Sequence, residues 1–340
     1  MIPISEYLGS SPTPLWKLCR QLGVTHAVAT LPVKEAGNAK PWDYMPLLHM
    51  KQRYEDYGFK VAVIEASPPM NRIRLGLDGR DEEIEHFCTL LTNMGALGIP
   101  VICYNWMAVI GWLRTSFTIP GRGGALVSGY DHALMRNAPP LPEAIGEERL
   151  WDNFAYFLER VLPVAKSARV KLALHPDDPP LSPIRGMGRI MRSVDAFRRV
   201  IDMADSEYNG ITLCQGNFAL MSDNLPETIR YFGRRRRIHF VHLRDVRGTA
   251  ERFVETFHDE GPTDLVTCLR AYAEVGFDGV LRPDHVPTLE GDSNEQGGYS
   301  TLGRLFAIGY IRGLQDAIEG RGRPNDEARN PKPEGMTKRE

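Results

Sequence analysis

Eight short apolar runs recur along the chain, and patterns of helical period separate them: ISEYL, HAVATL, KVAVIEA, VICYNW, KLALH, ITLCQG, IHFVHLRD and GVLRPD. Several are nearly continuously apolar, as strands covered on both faces must be. Between them, Ile84, Phe87, Cys88, Leu91 and Met94 recur at spacings of 3 and 4, with acidic residues at the start where a helix dipole favours them. Phe154, Phe157, Leu158 and Val161 repeat the pattern, and GYSTLGRLFAIGYIRGLQDAIE reads as the closing helix. Strands alternating with helices imply βαβ units and a parallel sheet. Eight such units in 340 residues predict an α/β chain with a single-domain (β/α)8 TIM barrel over residues 1–318. A doubly wound open sheet fits less well, because no strand is followed by a GxGxxG turn.

Two segments do not fit the alternation. Residues 118–146 are long, Gly- and Pro-rich and weakly periodic, which predicts a lid-like loop over the barrel mouth. Residues 319–340 are charged and Pro-rich with almost nothing apolar to bury, which predicts a disordered tail.

In a parallel barrel the reactive groups stand where strands end. The last four runs end in ALHPDD, TLCQGN, FVHLRD and LRPDH, each with one donor: His175, Cys214, His242 and Asp284. Each donor lies roughly one βα unit, about 30–40 residues, from the next. Four successive strands therefore aim four donors at one region. Singly, each has a plainer explanation: a hydrogen-bonded structural imidazole, a small buried thiol, a turn-forming Asp after Pro. Together, two imidazoles, a thiolate and a carboxylate suit a divalent transition metal (Mn, Fe, Co, Ni or Zn) rather than Mg or Ca. No Cys-x-x-Cys pair points to a closed structural zinc site.

The motifs CYNWM, LALHPDDPP, FVHLR, RPDH and GYSTLGRLFAIGYIRGL, with VIEASPPMNRIRLGLDGRDEEI and GWLRT, resemble the mannonate dehydratases of hexuronate catabolism. The resemblance runs from about His26 to Gly313. It implies a barrel of the xylose-isomerase type and a hydro-lyase that converts D-mannonate to 2-keto-3-deoxy-D-gluconate. The metal it implies is commonly manganese, held by His175, Cys214, His242 and Asp284. It also implies His285 and Tyr299 as the acid/base pair. The chain departs from the family pattern at Gln215, Gly216 and Asn217, at Gly111, at Val286-Pro287, and in its first strand.

Further residues follow from the chemistry. Asp177 and Asp178 are placed to orient a ligand imidazole or a substrate hydroxyl. Arg114 and Arg244 are candidates for the substrate carboxylate, since a guanidinium grips one with two parallel bonds. Asn105 ends VICYN at the barrel mouth and is a candidate for a hydroxyl. Two features are set aside. Arg234 to Arg237 precede a strand and so fall at the opposite, stability-side face, and Gly121 to Gly124 lack the Lys-Ser/Thr of a phosphate loop.

A net charge of −2 gives no reason to expect nucleic acid or a membrane surface as partner. The partners expected are a small sugar acid and further copies of the chain in a homo-oligomer. Five cysteines at irregular spacing (Cys19, Cys88, Cys103, Cys214, Cys268) form no disulfide framework, and no run is long enough to span a bilayer. Both fit a cytoplasmic enzyme. The same metal site on a related barrel serves equally for an isomerase or epimerase of sugars or keto acids, or for a noncatalytic metal-binding barrel. His285 and Tyr299 speak against the last.

Overall fold

The computed structural model describes residues 1–320, so the tail from residue 321 onward lies outside the described residues. All eight predicted runs are strands: β1 (Ser5–Leu8), β2 (His26–Ala29), β3 (Lys60–Glu65), β4 (Val101–Asn105), β7 (Lys171–His175), β8 (Asn209–Cys214), β9 (Ile238–Leu243) and β12 (Leu281–Pro283). Neighbours in the order β1-β2-β3-β4-β7-β8-β9-β12 pair in parallel. A parallel bridge from Ile4 to Leu281 returns the last strand to the first, and Ser5 Oγ donates to the Leu281 carbonyl at 3.0 Å. The fold is a (β/α)8 TIM barrel.

Alternate residues explain why the strands read almost continuously apolar. Val28, Val63, Val101, Ala173 and Phe240 fill the barrel. Their sequence neighbours, including Ile64, Ile102, Leu172, Leu174 and Val241, face outward into a larger core shared with the helices. Both faces of each strand are therefore dry.

The helices form where the 3.6-residue stripe predicts them, at Arg80–Ala96, Glu147–Ala168 and Thr301–Ile318. Arg80–Ala96 carries Asp81, Glu82 and Glu83 in its first turn. It packs on Glu147–Ala168 through Phe87 and Phe157, whose rings meet edge-on at 5.1 Å. Gly95 permits this approach, because a Cβ there would press on the Ala168 carbonyl.

The segment 118–146 is not a structureless loop. It contributes most of β5 (Ser116–Pro120) and all of β6 (Leu126–Asp131), an antiparallel hairpin. A second hairpin, β10 (Val246–Thr249) and β11 (Arg252–Glu255), follows β9, and the two join in a four-stranded sheet of order β10-β11-β6-β5. Neither hairpin has a strong apolar alternation of its own. Each is held by pairing with the other, for example Tyr130 against Phe253, and by the small cluster of Tyr130, Val246 and Phe253. This flap sheet is built from the insertions after β4 and β9, which places it on the C-terminal side of the barrel. Among the described residues no helix is long and apolar enough to cross a membrane.

The Gly95 contact sets two effects against each other. In an exposed helix, Gly→Ala gains about 1 kcal/mol of propensity. Here overpacking against backbone dominates, at about 1–3 kcal/mol. Gly95→Ala should therefore lower the stability measured by urea denaturation, whereas a rise would refute the close helix approach.

Candidate metal centre and active site

His175 and Cys214 are the last residues of β7 and β8, His242 is the penultimate residue of β9, and Asp284 directly follows β12. Sheet register puts Cys214 beside His242, and His242 beside Arg282. His175, Cys214 and His242 bring ligand atoms within 4.8 Å of one another. Asp284 completes the group, with Oδ2 at 3.8 Å from Cys214 Sγ and 3.6 Å from His242 Nδ1. His175 Nδ1 sits 2.7 Å from the Pro176 carbonyl, which fixes that nitrogen as the N–H and leaves the lone pair of Nε2 free to ligate.

The donor set fits a metal. His242 is buried, yet neither of its ring nitrogens has a hydrogen-bond partner. Buried polar atoms are almost always satisfied, and a cation held by the four donors would satisfy one of these nitrogens while the other faces a carboxylate, Glu65 Oε2 lying 3.4 Å from Nε2. Burial raises the Cys214 thiol, but the Arg244 guanidinium and the imidazoles of His175 and His242 outweigh it and bring it down to about 5. The sulfur is thus a thiolate at neutral pH, the form that binds metals. Buried thiols away from the centre behave oppositely: burial pushes Cys19 and Cys268 up to about 12.

The centre opens into a cavity of about 220 Å³ lined by His175, His242, Asp284, His285, Tyr299, Asn105 and Asp178, together with Glu65, Trp112 and Arg282. Tyr299 directs its hydroxyl to Asp284 Oδ1 at 3.3 Å, and its ring meets His285 edge-on at 5.3 Å. Burial first, then the charges of Asp284 and Glu65, raise the Tyr299 phenol well above its ordinary range, so it stays protonated. Asn105 Oδ1 accepts from Arg74 Nη2 and from the Met107 amide, both at 3.1 Å, which turns its NH2 to donate into the cavity.

The model of the D-mannonate dehydratase (UxuA) family matches residues 7–142 and 135–324. The chain belongs to that family. It is 35% identical to a mannonate dehydratase of Thermotoga maritima over 333 residues, covering 87% of this chain and 91% of the relative. It is also 35% identical to one of Streptococcus pneumoniae, covering 87% of each. The crystal structure of mannonate dehydratase from Streptococcus suis serotype 2 superposes with a TM-score of 0.87 at 31% identity, over 99% of both chains. An L-ribulose 3-epimerase structure superposes at 0.60 with 14% identity, a likeness of fold alone. The isomerase-type barrel is therefore shared architecture, and the dehydratase family is the better reading of the two.

In this mannonate dehydratase family member, three of the five residues expected to meet substrate do not line the cavity, Asp177, Arg114 and Arg244, and of the four donors Cys214 lies behind its wall. The two arginines were expected to receive a carboxylate from substrate. Instead they grip carboxylates of the protein. Arg114 donates to both oxygens of Asp178 at 2.6 and 3.0 Å and to Glu255 Oε1 at 2.6 Å. Arg244 donates to both oxygens of Glu255 at 3.0 Å, to Asp178 Oδ2 at 2.8 Å and to Asn217 Oδ1 at 2.7 Å. Asn217, one of the departures from the family pattern, is therefore part of this network. Asp177 Oδ2 accepts from the Met191 amide at 2.8 Å, and burial raises its carboxyl.

Sequence reading missed Glu65, Arg282, Trp112 and Glu255. Glu65 ends β3 and accepts two bonds from Arg282, at 2.9 and 3.0 Å. A carboxylate closing KVAVIEA carries the same strand-end signal as the four donors, so it was findable. Glu255 ends a flap strand and carries no such signal.

Burial raises the Glu65 and Glu255 carboxyls. Arg282 with His242 outweighs it at the first, and Arg244, His285 and Arg114 outweigh it at the second, holding both down to about 2. Their ordinary value is 4.5. The unfolded chain therefore binds more protons between these values, and the stability the pairs contribute is complete above about 4.5 and lost as pH falls toward 2. Denaturant midpoints should drop across that window, and less steeply in Glu65→Gln. An unchanged slope in that variant would contradict the paired state of Glu65.

Proposed function

We propose that the protein is a metal-dependent hydro-lyase that converts D-mannonate, or a closely related aldonate, to the 2-keto-3-deoxy acid and water. The observation that carries this reading is that His175, His242 and Asp284 meet His285 and Tyr299 around one cavity, with Cys214 against those donors, in a chain of this family.

His175, Cys214, His242 and Asp284 would hold the ion. The donor mixture supports manganese first, as the resemblance implies, with Fe, Co, Ni and Zn admissible by the same softness argument. When bound, the metal supplies Lewis acidity that stabilises negative charge building on the substrate carboxylate side as the α-proton leaves.

The rest falls to the chain. Elimination removes the α-proton and the β-hydroxyl as one water, and the resulting enol tautomerises to the 2-keto-3-deoxy acid. One group must take a proton and another must give one. His285 and Tyr299 stand in ring contact at the cavity edge and serve as that pair. Each such group contributes typically about 10²–10⁴-fold. Asn105 donates to a substrate hydroxyl. Trp112, 4.8 Å from the His285 ring, walls the cavity against water.

Five free cysteines and no membrane-crossing helix among the described residues support a cytoplasmic setting. Phe117 and Leu134, exposed on and beside the flap sheet, support a homo-oligomer, which light scattering would read directly.

Two experiments test the assignment. Tyr299→Phe removes one hydroxyl, so metal content should persist while turnover of D-mannonate falls by about 10²–10⁴-fold. A Phe variant of wild-type activity would exclude Tyr299 from the chemistry. Cys214→Ala and His242→Ala should each lose the ion by elemental analysis while circular dichroism stays native. Undiminished metal in both would refute the ligand set. If wild type dehydrates no aldonate but exchanges the α-proton of a keto sugar with deuterated solvent, the isomerase reading replaces this one.

A further inference from the structure

We propose that Glu255, delivered by the flap sheet, is the positioning residue of His285: it accepts the imidazole Nδ1–H and so leaves Nε2 as the nitrogen that faces the reacting centre. The inference rests on the reading of His285 as a proton carrier.

Glu255 is the last residue of β11 and is buried. Its Oε1 lies 2.9 Å from His285 Nδ1. Arg114 Nη2 also approaches Nδ1, at 3.3 Å, so two neighbours ask opposite things of one nitrogen. A lone pair on Nδ1 would accept from Arg114 but would face the carboxylate oxygen in repulsion. A proton on Nδ1 would be donated to that oxygen. The carboxylate contact is the shorter. Arg114 Nη2 is already spent on Glu255 Oε1 at 2.6 Å and Asp178 Oδ2 at 3.0 Å, so it loses little by giving up the ring. The proton therefore sits on Nδ1.

The other ring nitrogen then points the useful way. His285 Nε2 lies 3.7 Å from Asp284 Oδ1, on the side of the cavity where the metal donors and Tyr299 stand. The carboxylate is itself held, since Arg114 and Arg244 fix both of its oxygens. It therefore keeps the ring from flipping. The His285 backbone is itself in a sparsely populated region, with φ of 24°. The consequence reaches beyond one residue. Glu255 belongs to neither a barrel strand nor a barrel helix, so the flap sheet completes the acid/base machinery rather than only covering it.

The test uses the full-length protein loaded with zinc, a diamagnetic ion, and labelled with 15N at histidine. The His285 signals are identified by their loss in His285→Asn. Wild type should show the tautomer protonated at Nδ1. Glu255→Ala should convert it to the Nε2-protonated or a mixed form, and Glu255→Gln, whose carbonyl still accepts, should retain it. In manganese-loaded enzyme, Glu255→Ala should lower kcat by at least about 100-fold with metal content intact and KM changed far less. Glu255→Gln should recover part of that loss. A purely structural role would instead lower thermal stability, with no tautomer change. A wild-type His285 protonated at Nε2 overturns the proposal even if no Glu255 variant folds. Because the tautomer is read without turnover, failure of the proposed activity would not be mistaken for failure of this inference.

Discussion

A buried ladder of alternating charge organises the site. Arg114 and Arg244 both hold Asp178 and Glu255, Arg244 also lies 3.1 Å from Asp284, and Arg282 ties Asp284 to Glu65. All but Glu65 are almost fully removed from water. Each such ion costs several kcal/mol to bury, and loss of one partner typically costs about 3–5 kcal/mol because the other is stranded. The ladder survives because nearly every lone pair and proton in it is matched. It draws on the loop after β4, the loop after β7, the ends of β3, β9 and β12, and the flap strand β11. Its members come from strand ends around the barrel and from the flap, so the ladder is complete only when barrel and flap have come together.

The metal donors stand on this frame and borrow its field. Arg244 lowers the Cys214 thiol to about 5 despite complete burial, and Arg282 together with the neighbouring imidazoles holds Asp284 ionised despite burial. The carboxylate and the thiolate are thus in metal-binding form before any ion arrives. Arg244 does not line the cavity but Arg282 does, beside imidazole, amide, phenol, indole and carboxylate groups that can meet a polyhydroxy acid.

The flap shows how function is distributed over a barrel. The eight strands provide a rigid floor, and the insertions after β4 and β9 provide what the floor lacks. One insertion brings Trp112 and Arg114, the other brings Glu255. Their pairing through β6 and β11 makes two chain segments, each too weakly apolar to hold a shape alone, into one unit over the site. One departure from the family pattern is tied to this unit through Arg244 and Glu255. Asn217 bonds Arg244 and the Asp177 carbonyl, so a change at that position alters the support of the site rather than its ligands.

The barrel and the gathering of His175, Cys214, His242 and Asp284 at one place were legible in the sequence for one physical reason. Both depend on local pattern: strands dry on both faces read as apolar runs, and a parallel barrel gathers whatever ends those runs. Glu65 obeyed the same rule at the end of β3. What the sequence could not disclose depends on contacts between distant segments. The Arg114 and Arg244 guanidiniums look identical to free carboxylate clamps until the fold supplies Asp178 and Glu255 to occupy them. The flap sheet has no signal of its own because its strands are stabilised by one another. Composition and period determine which residues can be buried and where strands end. Only the closed tertiary structure decides which buried charges find each other, because that choice is made by distances between segments far apart in the chain, such as the 64 residues separating Arg114 from Asp178 and the 141 separating it from Glu255.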